Sequence, residues 1–385
     1  DWTVIILSDT LGKDFSSIEA LREDVRGRVM DFLDRVGAGR EVDVLIVPGI
    51  GQFAHGMFKG NAMDAYYYLL HELSQVLPPK EDLDVHFDST HGLNYITLLA
   101  YRALKELLGI AAITNRVTFT AYNSDPFVPK ITRELTINVI ETGEIKPDPL
   151  HEPLPARPGE YLGNFSLKGK DYGTLLQSLK KLHEVRNQRG RINAWVSSII
   201  NGLPLVFTSA FPDVEMVSGA VGELLNEYTN SVEVSPGRVE RRLSLGAGFG
   251  VLVKLSFQVR ALEMEGLPNE EPSIGELLEI SERIFRGRVL ASTKTELDRL
   301  ARSVRADTNG WIRYSKLLRL MGKSPNPQVD NRNFLVHAGL EANVTEVKRE
   351  GEFYVRYTKE KVKYGGTMEE PGKVIEKILA KTFEE

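Results

Sequence analysis

The sequence predicts an α/β domain with a parallel sheet, followed by a mostly helical domain carrying a small β-hairpin. Three observations lead there. Over about the first 145 residues, short apolar runs alternate with amphipathic stretches, the signature of β-α-β units. A stretch holding five prolines, "KPDPLHEPLPARPG" (146–159), then reads as a linker. Beyond it, apolar residues recur mostly at helical spacing. The expected domains are residues 1–150 and 151–385.

The elements follow in order. "TVIILS" (3–8) reads as a buried strand, and "SSIEALREDVRGRVMDFLDRV" (16–36) as a helix with a serine cap. "EVDVLIVP" (41–48) is the second strand, followed by a glycine-rich loop and the helix "AMDAYYYLLHELSQVL" (62–77). "LDVHFD" (83–88) is the third strand, "NYITLLAYRALKELLG" (94–109) its helix, and "RVTFTAY" (116–122) the fourth strand. "ELTINVIET" (134–142) reads as a further strand at an edge or in a hairpin. The second half gives helical stretches such as "VEMVSGAVGELLNEY" and "KTELDRLARSV", a hairpin in "VTEVKREGEFYVRYTKEKV", and a last helix "GKVIEKILAKTF".

Composition bounds the function. The chain is 42% hydrophobic and 26% charged, with no run long enough to span a membrane. The absence of cysteine excludes disulfides, thiol catalysis and thiolate metal sites. The opening "DWTVIILSDT" does not read as a signal peptide, so the expected location is cytoplasmic. Charge is uneven: residues 1–150 hold 14 Lys+Arg against 22 Asp+Glu, and the remainder 34 against 31. A polyanionic partner would therefore meet the C-terminal part.

Several motifs are weak. "GIGQFA" (49–54) matches a dinucleotide pattern, but it follows the second strand and no ribose-binding acid is placed, so a tight turn explains it better. "LSLGAGFG" (243–250) lacks a phosphate-loop lysine and reads equally as close packing, and no H-E-x-x-H occurs. The loop "DSTHGLN" (88–94) is stronger. It joins the third strand to a helix at the carboxyl end of the sheet, where open α/β folds bind ligands, although from these residues alone a capped turn, with Thr90 or Asn94 satisfying the helix amides, is the favoured reading. "SDT" (8–10) and the 49–51 turn should share that rim.

"DNRNFLVHAGLE" (330–341) sets Arg332, Asn333 and His337 among apolar residues. On a helical wheel they fall at about 0°, 100° and 140°, with Val336 and Leu340 between them. The segment thus predicts a helix with a half-buried mixed face. The residue types suit RNA cleavage by the ribose 2′-hydroxyl: histidine as base or acid, arginine as charge on the phosphorane, asparagine to orient either. From spacing alone, a packed histidine with Arg332 in a surface ion pair is the favoured reading.

"RNFLVHAGLEANVTEV" resembles the R-x-x-x-x-H segment of HEPN ribonuclease domains in CRISPR-associated ancillary proteins. "DSTHGLN" resembles the ligand loop of the Rossmann-like CARF domain found N-terminal to it. In that order, the two motifs mark a resemblance to the type III CRISPR CARF–HEPN ribonucleases. The resemblance implies a homodimer whose CARF domains bind a cyclic oligoadenylate activator, here cyclic tetra-adenylate rather than hexa-adenylate. It implies that paired HEPN segments form one metal-independent site for single-stranded RNA, with no cofactor. Arg332, Asn333 and His337 are then the expected catalytic residues, with Val336 and Leu340 on the dimer face. Ser8, Asp9, Thr10, Gly49, Gly51, Thr90, His91, Gly92 and Asn94 are the expected activator-binding set. Some CARF domains also cleave their activator, and Thr90, His91 or Ser8 could take part. Two other classes stay open: a CARF-type regulator that binds DNA through its helical part, and a nicotinamide-dependent enzyme using "GIGQFA".

Overall fold

The computed structural model describes residues 2–384 apart from 39–41, 127, 129, 265–270, 304–307 and 309. Glu41 and Val304, which two expected elements included, lie outside the described residues. Contacts divide the chain into two compact units. The first comprises Asp1–Asp148, Pro155–Val185 and Glu215–Gln258; the second comprises Pro149–Leu154, Arg186–Val214 and Val259–Glu385.

In the first unit, strand β1 (Thr3–Ser8) pairs in parallel with β2 (Val42–Val47), and helix α1 (Ile18–Arg35) connects them. Ser17 caps α1 by accepting from Ala20 N at 3.0 Å. The helix buries Leu21 and Val25, and Val25 packs against Val44 and Ile46 of β2. A short hairpin, β3 (Gly51–Phe53) and β4 (Gly56–Lys59), follows β2. Because "GIGQFA" runs into a strand rather than a helix, it lacks the amide-bearing helix start a pyrophosphate site needs.

Helix α2 (Met63–Val76) leads to β5 (Leu83–Asp88), α3 (Asn94–Ala111) and β6 (Val117–Ser124), with β5 and β6 parallel. Strand β7 (Ile137–Glu144) runs antiparallel along the outer side of β6. The alternation in β6 points Val117, Phe119 and Ala121 inward. The strand Arg238–Arg241, distant in sequence, extends β4 in parallel with Val239 opposite Phe58. The glycines of 243–250 serve packing: a Cβ on Gly246 would lie 2.2 Å from the Glu160 carbonyl oxygen.

The second unit is mostly helical. Its core gathers Leu205, Leu277, Leu297, Leu300, Leu340, Val347 and Val355 from helices and strands far apart in sequence. Helix Ile274–Ile284 begins with a capping box between Ser273 and Glu276. The expected hairpin forms from Thr345–Glu350 and Glu352–Tyr357, with Ile312–Arg313 added at its edge. A second hairpin, Val362–Tyr364 with Thr367–Glu369, was not expected. The proline-rich stretch is more than a tether. Its Leu150 and Leu154 are buried, and Leu154 N donates to Asn193 Oδ1 at 2.8 Å. Among the described residues, no helix is long and apolar enough to cross a membrane.

Candidate functional site

Arg332, Asn333 and His337 sit on and just after a short helix, Asn331–Val336. Asp330 starts it by accepting from Asn333 N at 2.8 Å. It stops at His337 because Ala338 and Gly339 both turn left-handed, with φ of 52° and 79°. Gly339 N then donates to Phe334 O at 2.8 Å, the six-to-one closure of a Schellman motif. The expected helix through residue 341 is therefore too long. Leu340 leaves the mixed face and is buried in the core, while Val336 stays exposed.

Asn333 and His337 line a cavity of about 170 Å³ with Glu296, Arg299, Tyr314 and Asn326. Glu296 and Arg299 come from helix Gly287–Ser303, which buries Thr293, Leu297 and Leu300 on its inner side. His337 Nδ1 lies 2.9 Å from Glu296 Oε2 and 3.2 Å from Arg299 Nη1. Arg299 Nη1 is also 3.4 Å from Glu296 Oε2. The other ring nitrogen, Nε2, has no protein partner among the described residues. Arg332 is exposed, outside the cavity lining, and makes no ion pair among the described residues. At the cavity's edge, burial pushes the Glu341 carboxyl up, and bonds from Asn343 N and Nδ2 work against that.

In the first unit, the residues expected to bind a ligand follow the carboxyl ends of β1, β2 and β5. Ser8 Oγ accepts from Thr10 N at 3.2 Å and from Thr10 Oγ1 at 2.8 Å. Asp9 accepts from Gly49 N at 2.9 Å and pairs with Arg241, which donates to Gly49 O at 2.8 Å. Ser8, Asp9, Thr10 and Gly49 thus form a buried knot that fixes the first two loops together. Ile50 N donates to Tyr95 Oη at 3.0 Å, tying the 49–51 turn to the start of α3.

The 88–94 loop is more open. Thr90 Oγ1 donates to Asp88 Oδ1 and accepts from Ser124 N at 3.1 Å, while Ser89 Oγ donates to Tyr122 O at 2.8 Å. No side chain caps α3, since Leu93 holds the cap position. Gly51, His91, Gly92 and Asn94 are exposed, and Gly92 has φ 137°. Of the nine expected residues, four are buried and held by internal bonds, four are exposed, and Thr90 is half-buried with its hydroxyl bonded to Asp88 and Ser124.

Sequence reasoning missed four residues of these sites. Arg241 and Tyr95 hold the rim; Glu296 and Arg299 flank His337. Each is joined to its partner at a sequence separation of 41 or more, except Arg299, at 38. Nothing in local sequence marks such pairs.

Comparison with known proteins identifies two domains in the chain. Residues 1–126 match the family model described as CRISPR system endoribonuclease Csx1, CARF domain, and residues 279–360 match that of the HEPN domain of the same enzyme. The chain is 30% identical over 370 residues to the CRISPR system endoribonuclease Csx1 of Methanocaldococcus jannaschii, covering 90% of this chain and 78% of that one. With a rim inside the first matched segment and the His337 cavity inside the second, the chain belongs to the Csx1 family of CRISPR-associated CARF–HEPN endoribonucleases.

Proposed function

We propose that this chain is an endoribonuclease switched on by a cyclic oligoadenylate, cutting single-stranded RNA without a metal ion. The observation that carries the reading is the cavity shared by Asn333 and His337 within the HEPN-matched segment, with His337 Nε2 free of partners among the described residues. In this reaction His337 takes the proton of the ribose 2′-hydroxyl. The resulting oxyanion attacks the adjacent phosphorus, the bond from phosphorus to the 5′-oxygen breaks, and that oxygen leaves with a proton. The products are a 2′,3′-cyclic phosphate and a 5′-hydroxyl. Arg332 supplies charge to the phosphorane and Asn333 orients the phosphate or the ring. A homodimer would bring two such segments together, one histidine accepting a proton and the other donating.

The sensing domain of this proposal is residues 1–150 and the effector part residues 151–385. Gly51, Thr90, His91, Gly92 and Asn94 would contact the activator, with amides at the uncapped start of α3 holding a phosphate. Ser8, Asp9, Thr10 and Gly49 would shape the floor beneath it, and Ser8, Thr90 or His91 could also cut the activator. Cyclic tetra-adenylate is the proposed ring size, and the cytoplasm the proposed location. The test is an analysis of cleavage products in excess chelator. The proposal expects 2′,3′-cyclic phosphate ends and no cut where the scissile 2′-hydroxyl is replaced by hydrogen. Strict dependence on a divalent ion, or duplex DNA binding with no RNA cleavage, would overturn it.

A further inference from the structure

The geometry points to Glu296 as the positioning residue that decides which ring nitrogen of His337 carries the proton. The inference rests on the reading of His337 as a proton acceptor and adds a residue to it. Glu296 stands on a helix whose neighbouring residues Thr293, Leu297 and Leu300 are buried, so its backbone is well held. Its side chain is only 16% exposed, and Oε2 lies 2.9 Å from His337 Nδ1. A carboxylate oxygen can only accept a hydrogen bond, so a contact that short requires the hydrogen on Nδ1. A neutral ring with Nδ1–H leaves its lone pair on Nε2, the nitrogen without a partner among the described residues.

Arg299 does not offer an alternative. Its guanidinium can only donate, so it cannot bond an Nδ1 that already carries hydrogen. Were Arg299 the donor to Nδ1 instead, two acceptors, the Nδ1 lone pair and Glu296 Oε2, would face each other at 2.9 Å. Arg299 thus acts on the carboxylate, at 3.4 Å, and helps keep it in place. The default matters because neutral histidine side chains in water favour the Nε2–H form. Without Glu296 the ring would present a hydrogen where the 2′-hydroxyl needs an acceptor.

The experiment compares Glu296→Ala, Glu296→Asp and His337→Ala with the unaltered chain, under activating conditions. Two readouts are taken: kcat and KM on RNA, and the ring ¹⁵N signals of labelled histidine, with His337 assigned through its Ala variant. The unaltered chain should show the Nδ1–H signature. Glu296→Ala should move His337 to Nε2–H and lower kcat by about 10²-fold with KM little changed. Glu296→Asp should recover part of both. An unchanged tautomer in Glu296→Ala, or an unchanged kcat despite a moved one, overturns the role of Glu296. If His337→Ala cleaves as the unaltered chain does, the reading of His337 falls first; if His337→Ala is inactive and Glu296→Ala is not, only Glu296 falls.

Discussion

Replacing Arg241 with Met should open the first unit by more than any surface change. Arg241 and Asp9 are 1% and 0% exposed, so water cannot take the place of a lost partner. The variant leaves the Asp9 carboxylate with one bond, from Gly49 N, and strips Gly49 O of its donor. Removing one member of a buried pair costs about 3–5 kcal/mol, much of it the stranded charge. Three kcal/mol would speed opening-limited amide exchange by roughly 10²-fold. The assay is hydrogen exchange on peptides covering β1 and β2. A second arm adds Asp9→Asn, which removes the stranded charge yet keeps an oxygen to accept from Gly49 N. The double variant should be more protected than Arg241→Met alone. A double variant no better than the single, or a single that exchanges within about threefold of the unaltered chain, would refute the buried-charge argument.

Burial pushes the Asp64 carboxyl from 3.8 up to about 6, against bonds from Ser244 Oγ and Leu245 N. The folded form therefore takes up that proton before the unfolded form does. Relative to Asp64→Asn, stability should rise by about 2 kcal/mol as pH falls from about 6 to about 4, and a pH series of urea unfolding curves giving a flat difference would contradict this. Asp330→Ala removes the cap of helix Asn331–Val336, costs about 1 kcal/mol, and should lower kcat for RNA more than it raises KM; unchanged kcat would separate the cap from the site. The double change Thr90→Ala with His91→Ala should raise the activator concentration for half-maximal cleavage while leaving the saturated rate nearly intact, and an unmoved titration would place the activator elsewhere.

What the sequence made legible was local. The strand and helix periods of residues 3–124 mark β1, β2, β5 and β6 with their helices, so the carboxyl-end loops could be named from spacing alone. The R-x-x-x-x-H segment was legible as a set of residue types, but its helix was drawn too long. Gly339 was the available stop signal, a glycine close past the helix end, although the first left-handed position falls on Ala338. The second hairpin also had its mark: Gly365 and Gly366, at φ 56° and 88°, are the Gly-Gly turn that joins paired strands. Other features lay beyond local reading. Arg241 looks like any strand residue until the chain brings it to Asp9, and Glu296 like any exposed helical glutamate until His337 arrives beside it. Burial and pairing across long separations are set by tertiary packing, which periodicity does not encode.

The most direct test of the account titrates cyclic oligoadenylates of each ring size against cleavage of a labelled single-stranded RNA, using the unaltered chain and His337→Ala. A ligand can switch an enzyme only through its difference in affinity for the active and inactive states, so binding and cleavage must be separable. The account predicts cleavage by the unaltered chain that depends on one ring size, cyclic tetra-adenylate. It predicts that His337→Ala binds that activator with nearly the same affinity and cuts nothing. Cleavage indifferent to every ring size, or a folded His337→Ala that still cuts RNA, would contradict it.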